Sequence, residues 1–77
     1  MMKIKDIDIN RWYTCWYLDR PELCKVTRGI IEDPTTKAKV YTYKVVCYYH
    51  GNDIYVGRLN ECRQWIMDHL EGVKTYG

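Results

Sequence analysis

The sequence predicts an α+β fold: a small antiparallel sheet of three to four strands, one C-terminal helix packed on one face, and a short helical turn after the first strand. Three observations carry this. Cys62, Trp65, Ile66, His69 and Leu70 recur at i, i+3, i+4, i+7 and i+8, an apolar stripe along one helical face. Two runs rich in Val, Tyr and Ile, residues 40–49 and 53–57, flank Gly51-Asn52, the pattern of a β-hairpin. A third run, RWYTCWYL at residues 11–18, is dense in Trp, Tyr and Thr, which favour strands.

The elements follow in order along the 77 residues, which make a single compact domain, 1–77. Residues 1–10 alternate weakly through Ile4, Ile7 and Ile9 and read as a frayed lead-in. Residues 11–18 form the first strand. In DRPELC, Asp19 sits in a cap position, Pro21 suits a first helical turn and Glu22 stands three residues after the cap, so one to two helical turns are expected there. Val26 to Glu32 is extended again. Asp33-Pro34-Thr35-Thr36 is a turn, with proline fixing the backbone and Asp or Thr bonding back to local amides. After the hairpin, Asn60 caps a helix over Glu61 to Glu71, Gly72 ends it, and residues 72–77 are a tail.

A two-residue Gly51-Asn52 turn of type II′ would set the hairpin register: His50 facing Asp53, Tyr49 facing Ile54, Tyr48 facing Tyr55. Strand alternation then divides the side chains. Tyr43, Val45, Cys47, Tyr49, Ile54 and Val56 fall on the face meeting the helix. Thr42, Lys44, Val46, Tyr48, His50 and Tyr55, with Asp53, fall on the other. This register separates Cys47 from His50, three positions apart on one strand, so the pair does not chelate one ion. No paired CxxC or HxxxH spacing accompanies it, and no metal or other cofactor is expected. His50 opposite Asp53 is a cross-strand polar pair rather than a catalytic dyad, because the chain has no serine and Cys47 lies on the other face. No catalytic residue is assigned. His69 reads as a partly covered histidine at the helix rim, and Cys47 and Cys62 as small core residues.

Composition bounds the function. Hydrophobic residues make 47% of the chain, enough for a core. The aromatics are eight Tyr and three Trp with no Phe, side chains that suit half-buried positions. The opening MMKIKDIDIN has no apolar segment, and no run approaches the ~20 apolar residues that span a bilayer, so a cytoplasmic protein with reduced Cys15, Cys24, Cys47 and Cys62 is expected. A net charge of +2 does not by itself point to nucleic acid.

The sharpest functional lead is the surface Thr42, Lys44, Val46, Tyr48, His50 and Tyr55, an apolar and aromatic patch with a polar rim. With no catalytic set, the expectation is a small non-enzymatic protein-binding module. Its size fits an accessory protein of a phage or mobile element, acting by occupying a surface of a host enzyme or defence complex. Its own 11–18 strand also offers an edge for a homodimer. The alternative is a nucleic-acid binder using Arg28, Lys37, Lys39 and Lys44, with Tyr48 and Tyr55 as stacking groups. From Arg28 to Leu70 a three-stranded antiparallel sheet followed by a helix broadly resembles the small arm-binding domains of phage integrases. That resemblance is architectural, rests on no motif, and implies a sheet face that reads a duplex.

Overall fold

The computed structural model describes residues 3–49, 51 and 53–71. A 3-10 turn, Ile4–Asp6, leads into β1 (Tyr13–Tyr17), β2 (Arg20–Glu32), β3 (Lys39–Cys47), β4 (Asp53–Gly57) and α1 (Leu59–His69). The strands form one antiparallel sheet in the order β1-β2-β3-β4. α1 packs on one face, so the expected α+β class holds with four strands.

The helical turn stands ahead of β1, and Asp19–Cys24 is not helical. Leu18 and Asp19 have φ of +54° and +62°, and Tyr17 pairs with Arg20. Two positive φ values in a two-residue loop match the right-handed twist of the flanking strands, so the chain reverses here and β2 starts at once. Asp19 is a turn residue rather than a helix cap. Pro21 pairs with Trp16, one position off the residues that bond to β1, so its missing N–H points away from that strand.

The lead-in, expected to fray, is anchored over its described residues 3–10. Ile7 is fully buried, Ile9 bridges Val26 in parallel, and Arg63 Nε donates to the Ile7 carbonyl at 3.0 Å. The Asp8 amide donates to the Tyr13 hydroxyl at 2.8 Å.

α1 begins with Arg58 in the cap position, not Asn60. The Arg58 N–H donates to Glu61 Oε1 at 2.8 Å, which satisfies one amide at the helix start. Cys62 and Ile66 of the stripe are fully buried against Ile7, Tyr13, Cys15, Cys24, Val26, Val45 and Cys47. Trp65 and Leu70 pack at the margin. His69 lies at the rim, stacked on Trp65 at 3.8 Å between centroids, its Nδ1 2.7 Å from the Trp65 carbonyl. Past α1, Leu70 bridges Cys15 and the Glu71 amide donates to the Thr14 carbonyl at 3.0 Å. The outer edge of β1, read from the sequence as a dimer edge, is therefore occupied at Thr14 and Cys15. Gly72 lies outside the described residues.

The β3–β4 register differs from the expected one. β3 ends at Cys47, whose carbonyl accepts the Gly51 amide at 3.0 Å, and Val46 pairs with Asp53. A bulge between Val45 and Val46 then sets Val45 opposite Tyr55, Lys44 opposite Val56 and Tyr43 opposite Gly57. The connection is longer than two residues, and within it the Tyr48 amide still pairs with β2, donating to the Leu23 carbonyl at 2.8 Å. Beyond Val26 on one side and Tyr43 on the other, β2 and β3 continue as a two-stranded ribbon, unaccompanied among the described residues and closed by the 33–38 turn.

Candidate interaction face

The sheet face away from α1 follows from these registers. Side chains opposite one another share a face, so Thr14, Leu23 and Tyr48 form one row, Lys25, Val46 and Asp53 the next, and Thr27, Lys44 and Val56 a third. Trp16 and Pro21 complete it at one end. Trp12, one residue ahead of β1, lies beside Lys25, whose Nζ sits 4.6 Å from its ring centroid. Trp12 and Tyr48 meet edge to face at 5.3 Å, and Tyr48 meets Tyr49 the same way at 5.1 Å. Among the described residues no element crosses this face. Tyr48 is 57% exposed, Trp16 41% and Trp12 37%.

Of the surface expected from the sequence, Thr42, Lys44, Val46 and Tyr48 are on this face. Tyr55 is not. It sits opposite the buried Val45, on the helix side, with its ring over Gly57 and its hydroxyl 3.4 Å from Glu61 Oε2. A Cβ at Gly57 would stand 3.0 Å from Tyr55 Cε2, so this glycine provides the slot the ring occupies. Partial burial, then the Glu61 carboxylate, raise the Tyr55 hydroxyl above its ordinary pKa. Val56 has exchanged sides with it and is exposed beside Lys44. Tyr49, expected under the helix, is in the loop and exposed. His50 lies outside the described residues. Trp12, Trp16 and Lys25 were missing from the expected surface. Their signal was the alternation in RWYTCWYL, where Trp12, Thr14 and Trp16 share a parity opposite to Tyr13, Cys15 and Tyr17.

The four cations of the nucleic-acid alternative are not gathered. Lys44 binds Asp53 at 3.1 Å on the outer face. Arg28 and Lys39 occupy the other face of the ribbon, opposite Tyr43 and Glu32. Lys37 stands in the ribbon turn with φ +64°.

The helix side holds a thiol cluster. Cys24 is directly opposite Cys47, and its thiol shares hydrogen bonds with the Cys15 and Cys47 side chains. The Cys47 thiol donates to Glu22 Oε2 at 3.6 Å, and Glu22 Oε1 receives Arg20 Nε at 2.7 Å. Hydrogen bonding to Cys15, then burial, hold the Cys24 thiol far above its ordinary pKa. Such thiols are poor nucleophiles. Among the described residues no group of three or more His, Cys, Asp or Glu side chains has the geometry to hold a metal ion.

A shallow hollow of about 390 Å³ lies along α1 between Ile4, Tyr55, Gln64, Trp65 and Asp68. Its polar groups pair with each other, Gln64 Nε2 donating to Asp68 Oδ1 at 2.7 Å and Tyr55 to Glu61. Among the described residues no helix is long and apolar enough to cross a membrane. No protein-family model, curated protein or solved structure matches the chain.

Proposed function

We propose that the protein is a non-enzymatic binding module whose helix-free sheet face docks on another protein. One observation carries this reading: Trp12, Trp16 and Tyr48 stand partly exposed on one face of the four-stranded sheet. Aromatic anchors of this kind give large contact area at low conformational cost and recur as interface hot spots. Leu23, Val46 and Val56 extend the apolar surface, and Lys25, Lys44 and Asp53 rim it. A phage or mobile-element accessory role, occupying a surface of a host enzyme or defence complex, is a use this geometry serves.

The test exchanges single side chains on the face. Trp16→Ala and Tyr48→Ala should lower capture of a protein partner at least tenfold, with the circular dichroism spectrum retained. Tyr55→Phe, on the helix side, should capture as the parent does. Loss of capture by Tyr55→Phe, or unchanged capture by both face variants, overturns the reading. A mobility shift with single- or double-stranded nucleic acid that fades steeply with salt would favour the alternative instead.

A further inference from the structure

The ribbon of β2 and β3 carries an edge that the binding face does not use. Backbone groups of successive strand residues point to opposite sides. The Leu23 carbonyl accepts the Tyr48 amide, so odd-numbered residues of β2 bond to β3. The Val26 carbonyl accepts the Asn10 amide at 2.7 Å, so even-numbered residues point the other way. Arg28, Ile30 and Glu32 follow in that phase, and among the described residues no strand lies beside them. Their amides and carbonyls form an open template. Neither a proline nor a bulge interrupts it, and its two charges, Arg28 and Glu32, are of opposite sign.

We propose that two copies of the chain pair through this edge, antiparallel, about a two-fold axis at Ile30. That register sets Ile30 against Ile30 of the second copy and Arg28 against Glu32 of the second copy, twice. All three outward-pointing residues find outward-pointing partners, giving six main-chain hydrogen bonds and two opposite-charge pairs. Competing registers do worse. Centring on Arg28 or Glu32 sets like charges face to face. Centring on Gly29 or Ile31 keeps four main-chain bonds and loses both charge pairs. The free edge of β3, centred on Tyr41, would set Lys39 against Tyr43 with no charge match.

The side chains agree with the backbone. Ile30 and Tyr41 pair across the ribbon yet are 60% and 74% exposed. In the dimer they join a four-residue row, Tyr41–Ile30 continued by Ile30–Tyr41 of the second copy. On the other face Ile31 and Val40, also exposed, run on into Gly29 and Thr42 of the second copy. A two-stranded ribbon is marginal alone, and the pairing makes it the centre of an eight-stranded sheet. The paired segment is five residues, about 17 Å, which is short of a standard interface, so the association is reversible and concentration-dependent. The axis is normal to the sheet. Both helices therefore lie on one side and both aromatic faces on the other, doubling the binding surface proposed above.

The experiment is sedimentation equilibrium on the full chain over a hundredfold concentration range. Ile30→Pro removes an N–H that bonds nothing within one copy, so it should keep the circular dichroism spectrum and weaken association at least tenfold. Lys39→Pro, which removes an outward N–H on the opposite edge and leaves that row intact, should associate as the parent does. Arg28→Glu and Glu32→Arg should each weaken association, and the double exchange should restore it, an outcome only this register produces. A parent chain that stays monomeric to ~1 mM, or a dimer indifferent to Ile30→Pro, overturns the proposal. So does a dimer lost in Trp16→Ala and Tyr48→Ala but kept in Ile30→Pro, which would assign self-association to the aromatic face.

Discussion

Leu18 and Asp19 show how one residue pair fixes a topology. Each sits in the left-handed region, where a side chain costs roughly 1 kcal/mol or more against glycine or asparagine. The pair lacks the Asn-Gly signature of such turns, so DRPELC reads equally well as a capped helix start, and only the closure of Tyr17 on Arg20 decides it. The chain tolerates the strain because β1 and β2 pair on both sides of the turn. Leu18→Asn combined with Asp19→Gly should relieve it, raising stability by about 1 kcal/mol and Tm by roughly 4–8 °C for a domain this size. Differential scanning calorimetry measures it. An unchanged or lower Tm would show that the turn is not strained. Tyr55 is a second case at this scale. Its face was misread because a single bulge at Val45/Val46 shifts register, and a bulge has no reliable sequence mark. Gly57, two residues on, was the available clue.

At the scale of elements, what the sequence made legible was whatever periodicity alone controls. The stripe through Cys62 and Ile66 gave α1 and its buried face, and alternation along β3 gave Val45 and Cys47 inward, Val46 and Tyr48 outward. Illegible was everything set by pairing: the register of β4, the closing of β1's edge by Leu70, and the reach of the ribbon past its neighbours. The ribbon tip is the exception, since local chemistry builds it. Asp33 Oδ1 accepts the Thr35 amide at 2.8 Å and the Thr36 amide at 3.4 Å, and Lys37 N–H bonds the Asp33 carbonyl at 2.8 Å. Those amides lower the Asp33 carboxyl below its ordinary value near 3.8. A lowered pKa stabilises the turn fully above that value, and the stabilisation is lost as pH falls through the folded-state pKa. The Thr35 and Thr36 amide resonances should therefore move together on acidification below pH ~4. In Asp33→Asn, which keeps the accepting oxygen and loses the charge, they should hold their positions. Titration by nitrogen–proton NMR separates the two.

At the scale of the whole molecule, the core comprises nine buried side chains among the described residues, of which four are cysteines. Cysteine packs as a small hydrophobe, and Cys24 and Cys47 stand directly opposite each other within this core. The choice ties stability to pH at the alkaline end. Cys24 and Cys62 both have raised pKa values in the folded state, Cys24 mainly through its hydrogen bond to Cys15 and Cys62 through burial. A raised pKa means the folded chain holds its proton where the unfolded chain releases it. The contribution is thus complete below the ordinary thiol value of 9.0 and is lost progressively as pH climbs above it. Each such thiol adds a slope of up to ~1.4 kcal/mol per pH unit in that range. The denaturant midpoint should be flat from pH 7 to 8.5 and fall between pH 9 and 10.5. Cys24→Ala should start lower, since it leaves a small cavity, yet decline less steeply over the same interval. An equal slope in the variant would remove Cys24 as the source and leave Cys62 and Tyr55 to account for the alkaline loss.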